Sequence, residues 1–216
     1  MADGQLSLES RVLLETGKPP EIPIIRDGLE KETMSVSHLF DSPDLLLASF
    51  FSEKNSDCLV LITGPSGSGK TTFCTRLALL AVEAGLSVGG ILCPAVFEGR
   101  EKVGIDQLDI SSGERRRLGI RANDTGESTV GCWHMDEAVI ARGNQIISVI
   151  NDEDIIIIDE LGPLELEEGS GYQQALHLLD EGRYRTAFVV VRPAMLPIAQ
   201  LRWPQAQVCS LGDVTQ

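Results

Sequence analysis

An apolar run, Cys58 to Ile62 (C-L-V-L-I), leads within one residue into Gly64 to Thr71, which read G-P-S-G-S-G-K-T. This octet satisfies the pattern G-x-x-x-x-G-K-[ST], and no other stretch constrains the fold as tightly. A buried strand that feeds a glycine-rich turn and then a helix aims successive backbone N–H groups at one point. The positive end of the helix dipole lies at the same point, so a phosphate chain fits there. Gly64, Gly67 and Gly69 allow phosphate oxygens close to the main chain. Lys70 is spaced to reach the β- and γ-phosphates, and the Thr71 hydroxyl to ligate Mg²⁺. The residues expected to bind nucleotide are Gly64, Pro65, Ser66, Gly67, Ser68, Gly69, Lys70, Thr71 and Thr72.

The rest of the chain continues the strand–helix alternation that a parallel sheet requires. The pattern predicts a helix from Lys70 to about Ala84, closed by Gly85, and a strand at Val88–Cys93, ended by Pro94. From 95 to 132 short pieces separated by Gly, Asp and Ser-Gly predict antiparallel β-hairpins beside that sheet. A helix is expected from Met135 to about Ile150, with Ala138, Val139, Ile146, Ile147 and Ile150 supplying most of its apolar face. Later expectations are a helix at 171–180, a strand at 187–191, a short helix at 194–201 and a last strand at 206–210. The fold class is α/β: a P-loop NTPase with a mostly parallel central sheet flanked by helices and an antiparallel β-hairpin insertion. Residues 1–56 differ, with Pro19, Pro20, Pro23 and Pro43 punctuating short apolar pieces. They predict an irregular N-terminal extension, with one short helix at 43–51, ahead of an NTPase domain at 57–216.

Four β-branched residues in a row, Ile155 to Ile158, suit a strand buried on both faces. That strand delivers Asp159 and Glu160 to its carboxyl end, the edge at which such sheets bind ligands and where the P-loop also lies. An Asp after four aliphatic residues, downstream of a P-loop, is the Walker B arrangement. Asp159 with Thr71 is the expected Mg²⁺ pair. Glu160 is placed to orient or deprotonate an attacking water. An arginine is the usual device for stabilising charge in phosphoryl transfer, and Arg100, Arg121, Arg142 and Arg192 are the candidates. Arg192 ranks first because it follows the strand at 187–191, on the same edge as Asp159. Arg142 sits mid-helix, on a solvated or salt-bridged face.

The net charge of −14, from 18 basic and 32 acidic residues, repels polyanions and argues against nucleic acid as a partner. The cluster Arg115-Arg116-Arg117 with Arg121 runs against that trend, either as a solvated face or as help in neutralising phosphates. No apolar stretch approaches the roughly 20 residues that span a bilayer. The five cysteines, 58, 74, 93, 132 and 209, show no C-x-x-C spacing. Buried reduced thiols in a cytoplasmic protein are the expectation. Trp133-His134 offers a ring for stacking a base, or simply an aromatic packed into the core where the next helix begins. His134 and His177 lack metal-ligand spacing. The oligomeric state is unmarked.

The P-loop, the strand 155–158 and Asp159 to Glu165 (D-E-L-G-P-L-E) resemble the nucleoside-triphosphatases of the THEP1 type, whose Walker B region reads D-E-I-G-x-M-E. Val88-Gly-Gly-Ile91, Lys102-Val-Gly-Ile-Asp106 and Ser111-Ser-Gly-Glu114 extend the likeness, which covers roughly 57–195. It implies Mg²⁺-dependent hydrolysis of ATP, GTP or other nucleotides to the diphosphate on a RecA-like core. Carried over by position, Lys70 holds phosphates, Thr71 and Asp159 serve Mg²⁺, and Glu160 positions water. Glu165 is a further candidate or a surface carboxylate on a turn. Cys93-Pro94 departs from the more polar residues usual after that strand, and Ile105 stands where Phe is typical. Two other readings remain open at this point: a kinase passing the γ-phosphate to a small acceptor, and a nucleotide-gated binding protein.

Overall fold

The computed structural model describes residues 58–121 and 133–212. The expected extension with its short helix, the turn at 123–126 and Cys132 lie outside the described residues. Among the described residues, nine strands form one sheet. In chain order the first elements are β1 (Cys58–Thr63), α1 (Lys70–Glu83), β2 (Val88–Leu92), β3 (Ala95–Glu98), β4 (Glu101–Asp109) and β5 (Arg115–Arg121). They are followed by β6 (Trp133–Met135), α2 (Glu137–Ser148), β7 (Ile155–Leu161), α3 (Pro163–Leu166), α4 (Gln173–Asp180) and β8 (Thr186–Val191). A 3₁₀ turn at Pro193–Met195, α5 (Leu196–Arg202) and β9 (Gln207–Ser210) complete the described chain.

The sheet order is β6-β5-β4-β2-β7-β8-β1-β9, with β3 also paired to β4. From β2 to β9 every pairing is parallel, and from β2 outward through β4, β5 and β6 every pairing is antiparallel. The hairpins expected after Pro94 are therefore an antiparallel wing on the parallel sheet. β8 lies between β1 and β7, so the residue that follows β8 emerges between the P-loop and Asp159.

Alternation along the parallel strands assigns side chains to two cores. Val60, Ile62, Ile155, Ile157, Phe188 and Val190 pack against Cys74, Leu77, Ala78 and Ala81 of α1. Leu59, Leu61, Ile156, Ile158, Ala187 and Val189 face the other way, toward Val139 and Ile147 of α2, Ala175 and Leu179 of α4, and Ala199 of α5. The result is a three-layer α/β/α arrangement. The isoleucines of β7 are at most 3% exposed, and burial of each contributes about 1.5–3 kcal/mol. Gly90 in β2 has φ +114, and a Cβ there would collide with the carbonyl oxygen of Ile157 on β7. Glycine alone lets the two strands approach at this point.

Two boundaries differ from expectation for identifiable reasons. Trp133 to Met135 pair with β5 as a strand instead of opening a helix. α2 begins later because Asp136 caps it, its carboxylate accepting from the N–H groups of Ala138 and Val139. The strand expected at 155–158 runs on to Leu161, through Asp159 and Glu160, because a bulge interrupts its pairing without ending it.

Candidate active site

β1 ends at Thr63, and the P-loop turns directly into α1. Gly64 has φ +148, and a side chain there would strike the carbonyl oxygen of Leu211 after β9. Gly69 is the N-cap of α1, with φ +87 and no capping side chain, and no acidic residue lies in the first turn. The amino end of this 14-residue helix therefore presents N–H groups and partial positive charge without an internal acceptor to consume them. Lys70 curls back over the loop, its Nζ donating to the carbonyl oxygens of Gly64 at 2.8 Å and Pro65 at 2.7 Å. Burial lowers its ammonium below the usual lysine value, while the carboxylates of Glu160 and Asp159 work in the opposite direction. The hydroxyls of Ser68 and Thr63 are buried with no hydrogen-bond partner.

Asp159 is 2% exposed. Its Oδ1 accepts from the Thr71 hydroxyl at 3.3 Å, and its Oδ2 accepts from the Cys93 N–H at 2.9 Å. Burial pushes its carboxyl up to about 6, against the pull of those two donors. The N–H of Cys93, the residue after β2, thus anchors the carboxylate on the strand beside it. Sequence reasoning missed this contact, because a main-chain donor leaves no mark in the residue type.

The next residue departs from regular geometry. Ile158 pairs with Val189 and Leu161 with Val191, so two residues of β7, Asp159 and Glu160, stand opposite the single Val190 of β8. Glu160 takes φ +119, the only positive φ of a non-glycine among the described residues. A bulge re-aims side chains. Here it keeps Ile158 and Leu161 in the same core, although an unbroken strand would turn residues three apart to opposite faces. Asp159 is left against α1, and Glu160 opens to the other side. Such backbone costs about 1–3 kcal/mol and persists where its surroundings over-determine it. The Glu160 carboxylate is engaged by both Nε and a terminal nitrogen of Arg192, the residue after β8. That pair is partly open to solvent, at 36% and 52% side-chain exposure respectively.

The family model described as NTPase matches residues 59–202. The chain belongs to this nucleoside-triphosphatase family. The THEP1 nucleoside-triphosphatase of Methanopyrus kandleri is 30% identical over 142 residues, spanning 64% of this chain and 76% of the relative. That of Methanothermobacter thermautotrophicus is 39% identical over 111 residues, spanning 50% and 62%. In fold, the chain is similar to the solution structure of a human cancer-related nucleoside triphosphatase, with a TM-score of 0.57 at 21% identity, over 73% of this chain and 90% of that one.

Within this NTPase framework the other sequence candidates disperse. Arg142 reaches Glu114 at 3.5 Å, as a salt-bridged helix face should. Arg115 and Arg117 both engage Asp106, Arg116 engages Glu114, and Arg121 engages Glu101. The basic cluster is thus neutralised on the antiparallel wing. Arg100 lies exposed in the turn between β3 and β4. Glu165, offered by the sequence as a site residue or a surface carboxylate, is 7% exposed. Its Oε2 accepts from the N–H of Gly162 at 2.8 Å and its Oε1 from that of Tyr172 at 2.9 Å. It braces the loop around α3 from within. Trp133 is half-buried in β6, with the Lys102 ammonium 4.8 Å from its ring centre.

Proposed function

We propose that this chain hydrolyses nucleoside triphosphates, ATP and GTP among them, to the diphosphate and phosphate at the carboxyl edge of its parallel sheet. The activity is assigned to the domain at 57–216, with residues 1–56 as an extension to it. One observation carries the reading: Lys70, Thr71, Asp159, Glu160 and Arg192 come from three separated strand ends and meet at that edge. The orphaned hydroxyls of Ser68 and Thr63 and the uncapped α1 terminus suit a ligand made of phosphate oxygens. The loop from Gly64 to Thr72 would cradle the phosphates. Lys70 would exchange its two carbonyl partners for β- and γ-phosphate oxygens.

Thr71 and Asp159 present a hydroxyl and a carboxylate side by side, an all-oxygen donor set that fits Mg²⁺. Once bound, the ion would neutralise charge developing on the phosphate oxygens. Glu160, turned outward by the bulge, would accept a hydrogen bond from the attacking water and take its proton. Arg192 would stabilise the charge of the transferring group. It holds Glu160 in the structure described, so an arriving γ-phosphate would compete with Glu160 for the same guanidinium.

Cys58, Cys74, Cys93 and Cys209 are buried free thiols, in keeping with a reducing compartment such as the cytoplasm. Among the described residues no helix is long and apolar enough to cross a membrane. The experiment is phosphate release from ATP and GTP by the full chain, with Mg²⁺ and with EDTA. Release that requires Mg²⁺ supports the proposal. Release that persists in EDTA removes Thr71 and Asp159 from the role given to them.

A further inference from the structure

Glu160 sits at φ +119, and backbone of that kind persists only where its neighbours fix it. Upstream, Ile158 pairs with Val189, and the Asp159 carboxylate is tied to the Cys93 N–H at 2.9 Å. Downstream, Leu161 returns to register against Val191. The chain then leaves the sheet at Gly162, whose N–H donates to Glu165 Oε2 at 2.8 Å. The bulge is pinned on both sides, and each side is held through a buried carboxylate.

Helix capping alone does not account for Glu165. α3 is a single turn of four residues, and an exposed Ser or Asp would satisfy its first N–H groups. The chain instead buries a carboxylate, which is costly unless its oxygens are fully bonded. The second oxygen reaches seven residues on, where Oε1 accepts from the Tyr172 N–H at 2.9 Å. Gly171, at φ +68, makes room for that oxygen, since a Cβ there would collide with it. Tyr172 is buried in turn, and its hydroxyl donates to Gln107 Oε1 on β4 at 2.8 Å. A Cβ on Gly143 of α2 would strike both the Gln107 oxygen and the Tyr172 ring. Gln107, Tyr172, Glu165 and Gly162 thus form one buried line of hydrogen bonds, wedged against α2 at one end and joined to the bulge at the other.

We infer that Glu165 is a positioning residue for hydrolysis: by holding Gly162 against Tyr172 it fixes the bulge and so keeps the Glu160 carboxylate aimed at the attacking water. The inference rests on the role proposed for Glu160. Glu165 touches no reacting atom and acts only through the backbone two residues beyond Glu160. Glutamine in its place keeps the shape but sets an NH₂ donor against one of the two N–H groups, so one bond is lost and the turn loosens. A small misplacement of a reacting group is enough to slow a reaction severalfold or more.

The test is a double-mutant cycle on the full chain: wild type, Glu160→Gln, Glu165→Gln and the double variant. Phosphate release from Mg·ATP gives kcat and KM well below the lowest unfolding midpoint, and calorimetry gives that midpoint for each protein. Glu165→Gln should lower kcat roughly tenfold or more with KM nearly unchanged. The double variant should be no slower than Glu160→Gln, because a misplaced glutamine loses no base. The fall in midpoint should be the same in both backgrounds. Should Glu165→Gln not fold, Tyr172→Phe loosens the same line at Gln107 and carries the same cycle, with a smaller loss of kcat. Folded Glu165→Gln at the wild-type kcat, beside a slowed Glu160→Gln, overturns the inference and leaves the hydrolytic reading standing. A double variant slowed by the product of the two single effects also overturns it. Glu160→Gln at the wild-type rate removes the role proposed for Glu160, and this inference with it.

Discussion

Strands β2, β7 and β8 carry an acidic residue and an arginine at both of their ends, and the two ends behave differently. At the amino end, Asp154 accepts from the Ser87 N–H at 3.0 Å, from the Ser87 hydroxyl at 2.8 Å and from Arg185 at 2.8 Å. These residues stand just before β7, β2 and β8, and the clamp has ordinary backbone. At the carboxyl end the corresponding places are taken by Asp159 and Glu160, Cys93 and Arg192. There one carboxylate is buried and pushed up to about 6, and the other sits at φ +119 in a bulge. The same kinds of residue across the same strands thus make a fastening at one end and a strained, partly desolvated cluster at the other. Strain and costly burial mark the end to which the proposed function assigns the chemistry.

The sharpest way to break this comparison is to relieve the strain. Glu160→Gly removes the side chain that makes φ +119 unfavourable. It should raise thermal stability by about 1 kcal/mol, net of the lost Arg192 pair, while turnover falls about 10²- to 10⁴-fold. Calorimetry and phosphate release check the two halves, and a loss of stability would mean that the bulge does not store strain. Arg192→Ala should slow turnover about 10²- to 10³-fold. Arg185→Ala, its counterpart at the other end, should leave turnover unchanged.

Glu165 tests whether every carboxylate at the carboxyl end is chemical. Glu165→Ala strands the N–H groups of Gly162 and Tyr172, at about 1–3 kcal/mol each. A lowered unfolding midpoint is expected as the main effect. The smallest effect belongs to Asp154→Ala, about 1 kcal/mol at neutral pH. The Ser87 N–H and hydroxyl, with Arg185, hold the Asp154 carboxyl below its ordinary value. A depressed value means that this stabilisation is present above the unfolded value of about 4 and disappears as pH falls through the folded one. Wild type and variant should therefore converge in acid denaturation.

Much of this layout was legible in the sequence because it rests on local patterns. The P-loop, the four isoleucines of β7 and the placement of Arg192 after a buried strand are all contiguous signals. Chain order does not reveal sheet order, so nothing in the sequence stated that β8 would separate β1 from β7 and set Arg192 between the two motifs. The bulge was equally hidden. Asp159-Glu160 reads as the end of a strand, and only pairing with Val189 and Val191 shows one residue too many. Met135, expected to open a helix, ends a strand instead because its pairing with β5 is non-local, while the cap at Asp136 that starts the helix is a local signal. Glu165 was ambiguous because its two partners are main-chain N–H groups brought by the fold.

The measurement closest to the central claim compares the full wild-type chain with Glu160→Gln, reading Mg·ATP affinity by calorimetry and phosphate release in the same preparations. Glutamine keeps the size of the side chain and removes the carboxylate that would take the proton. The account predicts nucleotide affinity close to wild type and release slowed about 10²- to 10⁴-fold. Release at the wild-type rate from a Glu160→Gln protein that still binds nucleotide would contradict it.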